Sequence, residues 1–290
     1  MLIPTCSPFR LAQSIAFLRR FPPCAGDFVL TEDSITAAIC VDREPVVFTL
    51  RERRGALHVD TTDARVAGCA GDFVGASDDV AAFYAAAAGD AAMAPLIAML
   101  HGLHHVRFLT LGEIAVYSVM MQRNPITRAA AMKRAFMTAF GRPIQGLRAL
   151  PELADLAQLD GEAIGAAIRH PSKGAAIAKV VRGVAALGED FLRTAPYATA
   201  RDALLAIPGI GPFSAGAILL RGLGRMDALP WMDSFRRPAE ALYGRLDEAA
   251  IERRYGTSIG YWSFYVKTGV PRLGEMLTAG SRTPSSRATT

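Results

Sequence analysis

Residues 202–221 read DALLAIPGIGPFSAGAILLR, and Asp233 follows within LPWMDSF at 229–235. Ile207-Pro208-Gly209-Ile210-Gly211 is a tight apolar turn between two helical patterns. Pro208 and the two glycines fit a sharp hairpin whose backbone N–H groups stay uncovered. The next helix would begin at Pro212, a favourable first helical position because the ring presets φ where no N–H is needed. A helix N-terminus behind two bare glycines suits an anion such as a phosphate, since unpaired N–H groups and the helix dipole both point at it. A carboxylate just beyond a phosphate seat points to chemistry on a nucleic acid.

Asp233 has two readings. It stands where it would cap the helix SFRRPAEALYG, and aspartate is a favoured N-cap. The hairpin upstream supports the other reading. A carboxylate held near DNA repels phosphates, so it needs a purpose there. It could stabilise a cationic sugar as a glycosidic bond breaks, or orient the water that attacks the anomeric carbon.

Composition narrows the class. The chain has 290 residues, 51% of them hydrophobic, enough for one large or two smaller cores. No apolar run reaches the ~20 residues of a membrane span, and MLIPTCSPFR lacks a secretory layout. A soluble, cytoplasmic protein is expected. Net charge is +5 with a pI near 9.2, which favours a polyanionic partner. The basic residues are nearly all Arg, suited to bidentate phosphate contacts, although codon bias gives the same excess. Cys6, Cys24, Cys40 and Cys69 show no C-x-x-C spacing, which argues for buried reduced thiols and against a metal cluster. His101, His104 and His105 lack nearby Asp or Cys ligands and read as solvated surface rather than a metal site.

The expected fold class is α+β. Residues 34–41, 45–53 and 55–61 suggest an antiparallel meander, with a helix near 8–19 packed on it. Ser77-Asp78-Asp79 reads as a helix start. Beyond it, helices are expected near 78–88, 91–101, 111–122, 126–140, 150–157, 160–169, 173–187, 198–206, 212–223, 234–243, 247–254, 257–268 and 271–278. This divides the chain into an N-terminal α+β part at 1–88, a mainly α-helical core at 89–278 and a flexible polar tail at 279–290.

The segment IPGIGPFSAGAILLRGLGRMDALPWMD at 207–233 resembles the signature of the helix–hairpin–helix DNA glycosylases, closest to the 3-methyladenine DNA glycosylase II type. Gly102-Leu103-His104-His105-Val106-Arg107-Phe108 with Leu111-Gly112-Glu113 is similar to the family's G-L-R-P-P-R-F…F-E segment. Ser118-Val119-Met120-Met121-Gln122-Arg123-Asn124-Pro125 looks like its I-L-x-Q-Q-x-S loop. The resemblance covers roughly 95–270; the β-rich beginning matches the branch's extra domain by layout alone.

The resemblance implies that Asp233 is the catalytic carboxylate. Pro208, Gly209, Ile210 and Gly211 grip a DNA phosphate, with a monovalent cation as a possible addition, and Ser214 adds a hydroxyl contact. Gln122 and Arg123 lie on the loop that fills the gap left by an extruded base. Phe213, Trp231, Tyr265 and Gln122 are the candidate base pocket, with core packing as the competing reading for Trp231 and Tyr265. Bifunctional relatives carry a Lys at the Phe213 position, so a monofunctional enzyme using water, without lyase activity, is implied. The iron–sulfur branch is excluded, because no Cys follows Cys69. Electron-rich rings attract a cationic alkylated base, by ~0.5–2 kcal/mol per contact. His104-His105 in place of Arg-Pro, a single Gln in the loop, and Arg123 where an apolar or amide wedge is usual depart from the family pattern. The expected partner is double-stranded DNA with a damaged base, bound by a monomer, with no other cofactor. Two alternatives remain: a glycosylase for deaminated or mismatched bases, and a non-catalytic helix–hairpin–helix DNA-binding protein.

Overall fold

The computed structural model describes residues 1–280; the expected tail lies outside them from 281 onward. The N-terminal part holds β1 (Leu2–Ile3), α1 (Leu11–Leu18), a 3-10 turn at Pro22–Cys24, β2 (Val29–Leu30), β3 (Ser34–Val41), β4 (Glu44–Arg53) and β5 (Ala56–Val59). The strands form one antiparallel sheet in the order β1-β5-β4-β3-β2. Two of its hairpins, β3–β4 and β4–β5, close on two-residue turns. Asp42 and Arg43 have φ of 52° and 67°, Arg54 and Gly55 of 53° and 75°. Positive φ at both turn residues twists a hairpin in the direction strands prefer.

The helical part follows as α2 (Ala64–Phe73), α3 (Ala81–Ala88), α4 (Ala94–Leu100), α5 (Leu111–Met121) and α6 (Ile126–Phe140). The hairpin β6 (Arg142–Ile144) and β7 (Leu147–Ala149) comes next, then α7 (Leu153–Leu156), α8 (Gly161–Ala167), α9 (Pro171–Leu187), α10 (Glu189–Thr194) and α11 (Tyr197–Leu205). The chain ends with α12 (Pro212–Ala217) running into a π-turn at Ile218–Gly222, then α13 (Asp233–Tyr243), α14 (Glu248–Tyr255) and α15 (Ile259–Gly280). No helix among the described residues is long and apolar enough to cross a membrane.

Two hydrophobic cores do not follow the boundary expected at 88. One joins the sheet, α1 to α4 and the C-terminal α13 to α15; the other joins α5 to α12 and reaches back only to Cys24. Position 88 marks a change of element type, not of core. Between the two cores lies a bridge of charge. Lys133 on α6 pairs with Asp27 from the N-terminal part and Glu113 on α5, and is itself almost wholly buried. Cys24, Asp27 and Glu113 are close enough to share a metal ion, but the Lys133 ammonium already satisfies the two carboxylates.

Three differences from the expected layout have physical reasons. α2 was not expected; the side chain of Asp63 accepts from the Arg65 N–H and starts it, and it fits under the sheet. The β6–β7 hairpin lies in a stretch to which the sequence reading assigns no element; Ala149 and Leu147 pack on Ala38 and Cys40, covering the outer face of β3. α15 continues through Pro271 instead of breaking there. Proline removes one hydrogen bond from the ladder, and here packing overrides that loss: Gly269 lies so close to Leu96 on α4 that a Cβ would come within 2.7 Å of it.

Candidate active site

α11 ends at Leu205, and the chain turns through Ile207 to Gly211 before α12 begins. Ile207 and Ile210 are buried anchors on either side of exposed Pro208 and Gly209. Gly209 has φ of 101°, open only to glycine, and so sets the turn. No hydrogen bond among the described residues uses the amides of Gly209 or Gly211. The turn leaves both amides open, as the sequence suggests.

The neighbouring loop is held to it. Gln122 Nε2 donates to the Gly209 carbonyl at 2.8 Å and to Ser214 Oγ at 3.0 Å. Lys173 Nζ donates to the carbonyls of Val119 and Gln122, both at 2.8 Å. Burial, with Arg128 and Arg123 nearby, lowers the Lys173 ammonium below its ordinary range. Arg123 stands exposed at the tip in left-handed backbone, φ 55°. Hairpin and loop form one exposed, cationic edge, a suitable surface for a phosphate backbone.

A cavity of about 430 Å³ opens between α1, the Pro22–Cys24 turn, α5, α12, the π-turn, α13 and α15. The N-terminal part therefore supplies one wall of the site. Phe213 lines the cavity. Gly216 on α12 touches Pro230, where a Cβ would lie 2.7 Å from the proline ring. This close approach fixes the loop that delivers Asp233. Met232 and Ser234 line the cavity on either side of Asp233, which begins α13 at the mouth. Asp233 does not cap that helix: Met232 is the N-cap residue, without a side-chain bond. The Asp233 side chain is 77% exposed, with an ion pair at 3.6 Å to equally exposed Arg237.

The structure separates the other expected pocket residues from the cavity. Tyr265 is fully buried; its hydroxyl meets the carbonyls of Leu100 and Leu103 and the Tyr84 hydroxyl. Trp231 packs on Trp262 and donates to Glu252 at 2.6 Å. Gln122 serves the hairpin instead of the cavity, and Ser214 is buried beneath it rather than facing a phosphate. His104 and His105 are also buried, not solvated. His104 bridges the carbonyls of Gly75 and Pro8.

Sequence reasoning missed the charges inside the cavity. Arg20, Arg221, Lys267 and Arg272 line it, and no Asp or Glu does. Arg20 is paired with Glu275 at 2.6 Å, and Arg272 bonds the Ala16 carbonyl. Arg221 has no carboxylate. Its guanidinium lies 4.8–5.9 Å from the ring centres of Phe17, Phe21, Phe108 and Phe264. Its Nη2 is buried without a partner. Burial pushes its pKa down to about 10. Its Nη1 approaches His105 Nε2 at 3.4 Å, so that nitrogen accepts; burial, with Arg221 and Arg107 beside it, keeps His105 neutral. Lys267 Nζ sits 4.4 Å over the Phe235 ring. It reaches solvent through the cavity while protein surrounds it elsewhere, and this desolvation, with Arg221, lowers its ammonium to about 8. The sequence signal for these residues was weak. Arg221 sits in a π-turn, a local widening common at functional sites, and Lys267 lies on a helix the sequence reading had broken in two.

The same fold is found in solved structures. One described as a 3-methyladenine DNA-glycosylase from Archaeoglobus fulgidus superposes with a TM-score of 0.76 over 92% of this chain and 97% of that one, at 18% identity. The chain has the helix–hairpin–helix DNA glycosylase fold. MBOgg1, solved with a low-affinity DNA ligand, gives a TM-score of 0.74 at 20% identity, covering 94% of this chain and 96% of that one. A DNA-3-methyladenine glycosidase from Bacillus halodurans gives 0.55 at 22% identity, covering 67% and 91%. Among curated sequences, a probable bifunctional transcriptional activator/DNA repair enzyme AlkA from Mycobacterium tuberculosis is 32% identical over 129 residues, 42% of this chain. The chain matches about a quarter of that relative's length. No family model matches.

Proposed function

We propose that the protein is a DNA N-glycosylase of base excision repair. It draws a damaged nucleotide out of a duplex and hydrolyses its N-glycosidic bond. The observation that carries this reading is Asp233, set between two residues that line a 430 Å³ cavity which Phe213, next to the hairpin in sequence, also lines. In this mechanism the hairpin amides and Arg123 hold the strand, and the base enters past Phe213. The Asp233 carboxylate then stabilises positive charge on the deoxyribose and orients the attacking water. Phe213 removes the amine that a hairpin nucleophile would need, which supports water as the agent of base release. A single duplex partner per chain supports a monomer.

The alkylated-base expectation rests on the sequence resemblance, and two of the similar structures carry 3-methyladenine in their descriptions. The cavity's charge favours a second reading. A cationic alkylpurine would enter beside Arg221 and Lys267 with no acid on the wall. Five of the lining ring faces are already taken, four by Arg221 and that of Phe235 by Lys267, while Phe213 has no cation over it. An uncharged damaged base is a poorer leaving group and gains from a nearby cation as negative charge develops on it. We therefore favour uncharged, carbonyl-bearing bases over cationic ones.

The test is base release from duplexes carrying alkylated, deaminated or oxidised bases, with wild type and Asp233→Asn. The expected result is release by wild type and at least a hundredfold loss in the variant. Equal release by both would remove Asp233 from the reaction, and duplex binding without release by either would favour a binding module.

A further inference from the structure

Carboxylates are unevenly spread along this chain. No Asp or Glu occurs in 114–151, 163–188 or 203–226, although all three stretches carry Arg. They contain the Gln122–Arg123 loop, α9 and the 207–211 hairpin. α9 joins the other two. At its start, Lys173 bonds the loop carbonyls of Val119 and Gln122. Further along it lies against the hairpin: a Cβ on Gly183 would come 2.6 Å from Ile207, and one on Gly209 3.4 Å from Val180.

The exposed residues of α9 after Pro171 are Ser172, Ala175, Lys179, Arg182 and Ala186. Steps of three and four place them on one stripe of the helix. Lys179 and Arg182 each precede a residue that meets the hairpin, Val180 and Gly183, so the two cations emerge on the adjoining face. No ion pair or hydrogen bond among the described residues takes up either head group. Acids bound the stripe at its ends. α8 packs at Ala175, where a Cβ on Gly161 would lie 3.0 Å from the alanine Cα, and it carries Glu162; Glu189 and Asp190 follow α9. The open cationic stretch is therefore the turn that holds Lys179 and Arg182, continuous with the hairpin whose amides are uncovered. Neither side chain lines the cavity.

We propose that Lys179 and Arg182 form a second phosphate grip, which extends the DNA surface from the hairpin along α9 and holds the duplex backbone outside the damaged nucleotide. This rests on the duplex-binding part of the glycosylase reading. An ammonium and a guanidinium on phosphate oxygens position a duplex without reading its bases, so the grip acts on undamaged DNA as well. Its contribution comes through release of condensed counterions and is weakened by salt. It governs residence on the duplex and leaves the bond-breaking step alone.

The experiment measures binding of the full chain to an undamaged duplex by fluorescence anisotropy, between about 50 and 200 mM salt. The test variant is Lys179→Gln with Arg182→Gln, which keeps the stems and removes the charges. The control removes two exposed, unpaired charges at the β4–β5 turn, Arg53→Gln with Arg54→Gln. Both are first shown to melt as wild type. The expected result for the test variant is at least tenfold weaker binding at the lowest salt and a log–log salt slope shallower by about 2, near 0.9 for each lost phosphate contact. The control should bind within twofold of wild type. Single-turnover base release by saturating test variant should also stay within twofold of wild type. An unchanged salt slope overturns the proposal, as does an equal change in the control, an equal loss in the saturated release rate, or no duplex binding by wild type. Salt slopes as expected with no release of any damaged base remove the glycosylase reading and leave the grip.

Discussion

Replacing Arg221 with Met separates the two substrate readings. A sphere of the cavity's 430 Å³ has a radius of about 5 Å, which puts the guanidinium charge about 7 Å from the centre of a bound base. At an effective dielectric of about 20, a unit charge at that distance shifts the energy of a cationic base by ~2 kcal/mol. That is roughly a thirtyfold change in relative rate. The four phenylalanine faces around Arg221 would also be uncovered, which adds to the gain for a cation. Stability should change little. Met fills much of the same volume, and the lost ring contacts are offset by removing a buried charge without a carboxylate partner. The assay is single-turnover release at pH 7 of 3-methyladenine and of whichever uncharged base wild type excises best. The ratio of cationic to uncharged release should rise at least tenfold in Arg221→Met, with the melting temperature within a few degrees of wild type. A change below threefold, or a fall, would show that Arg221 does not set the charge seen by the base.

Three further outcomes follow from the supporting structure. Gln122→Ala removes two hydrogen bonds that tie the loop to the hairpin. At ~1 kcal/mol each it should lower the melting temperature by several degrees and weaken duplex binding several-fold, read by thermal melting and by anisotropy. Gly209→Ala should cost ~1–3 kcal/mol from backbone strain, since φ is 101° while the space around it is open; Gly211→Ala, at φ −105°, should melt as wild type, and the reverse order would count against the hairpin geometry. Lys133→Met strands Asp27 and Glu113 beside each other, an expected loss of ~3–5 kcal/mol at pH 7. Burial already raises the Asp27 carboxyl and Lys133 opposes that rise, so in the variant Asp27 should titrate further above its unfolded value; the penalty exists above that value and is relieved as Asp27 takes up a proton, and denaturation at pH 5 should show a smaller deficit than at pH 7.

Local chemistry explains which parts of the fold were legible in sequence. β3, β4 and the two turns were readable because strand pattern and turn residues agree. The hairpin at 207–211 was readable because Gly209 has no substitute at its φ. α2, the β6–β7 hairpin and the unbroken α15 were not, because each depends on distant partners: the sheet above α2, β3 beneath Leu147 and Ala149, and Leu96 against Gly269. The site divides the same way. Asp233 and Phe213 came from the family resemblance; Phe213 lines the cavity and Asp233 stands between two residues that do. Trp231 and Tyr265 are aromatic residues at plausible spacing, but spacing does not distinguish a pocket wall from a core, and they turned out to pack inside. Arg221 and Lys267 were invisible because their meaning is relational. A buried cation is notable only once its lack of a carboxylate is seen.

The exposure of Asp233 has a consequence for how such a site works. In the free protein its charge is 77% open to water and faces only an exposed arginine. At 4 Å a carboxylate stabilises a cation by ~1 kcal/mol in water but ~4 kcal/mol at an effective dielectric of about 20. The difference, ~3 kcal/mol, amounts to roughly a hundredfold in rate or more. Among the described residues nothing covers the Asp233 side chain, so they do not supply that difference. A duplex seated on the hairpin and on the Gln122–Arg123 loop would cover it. On the proposed reading DNA would belong to the catalytic environment as well as to the substrate, and the tie from Gln122 to Gly209 would fix where that cover lands. The same reasoning accounts for an acid at the rim and cations in the depth. On the proposed reading the carboxylate would meet the sugar, where positive charge develops, and Arg221 and Lys267 the departing base, where negative charge develops. The charge separation of a breaking glycosidic bond would then match an exposed acid between two lining residues and cations within the lining.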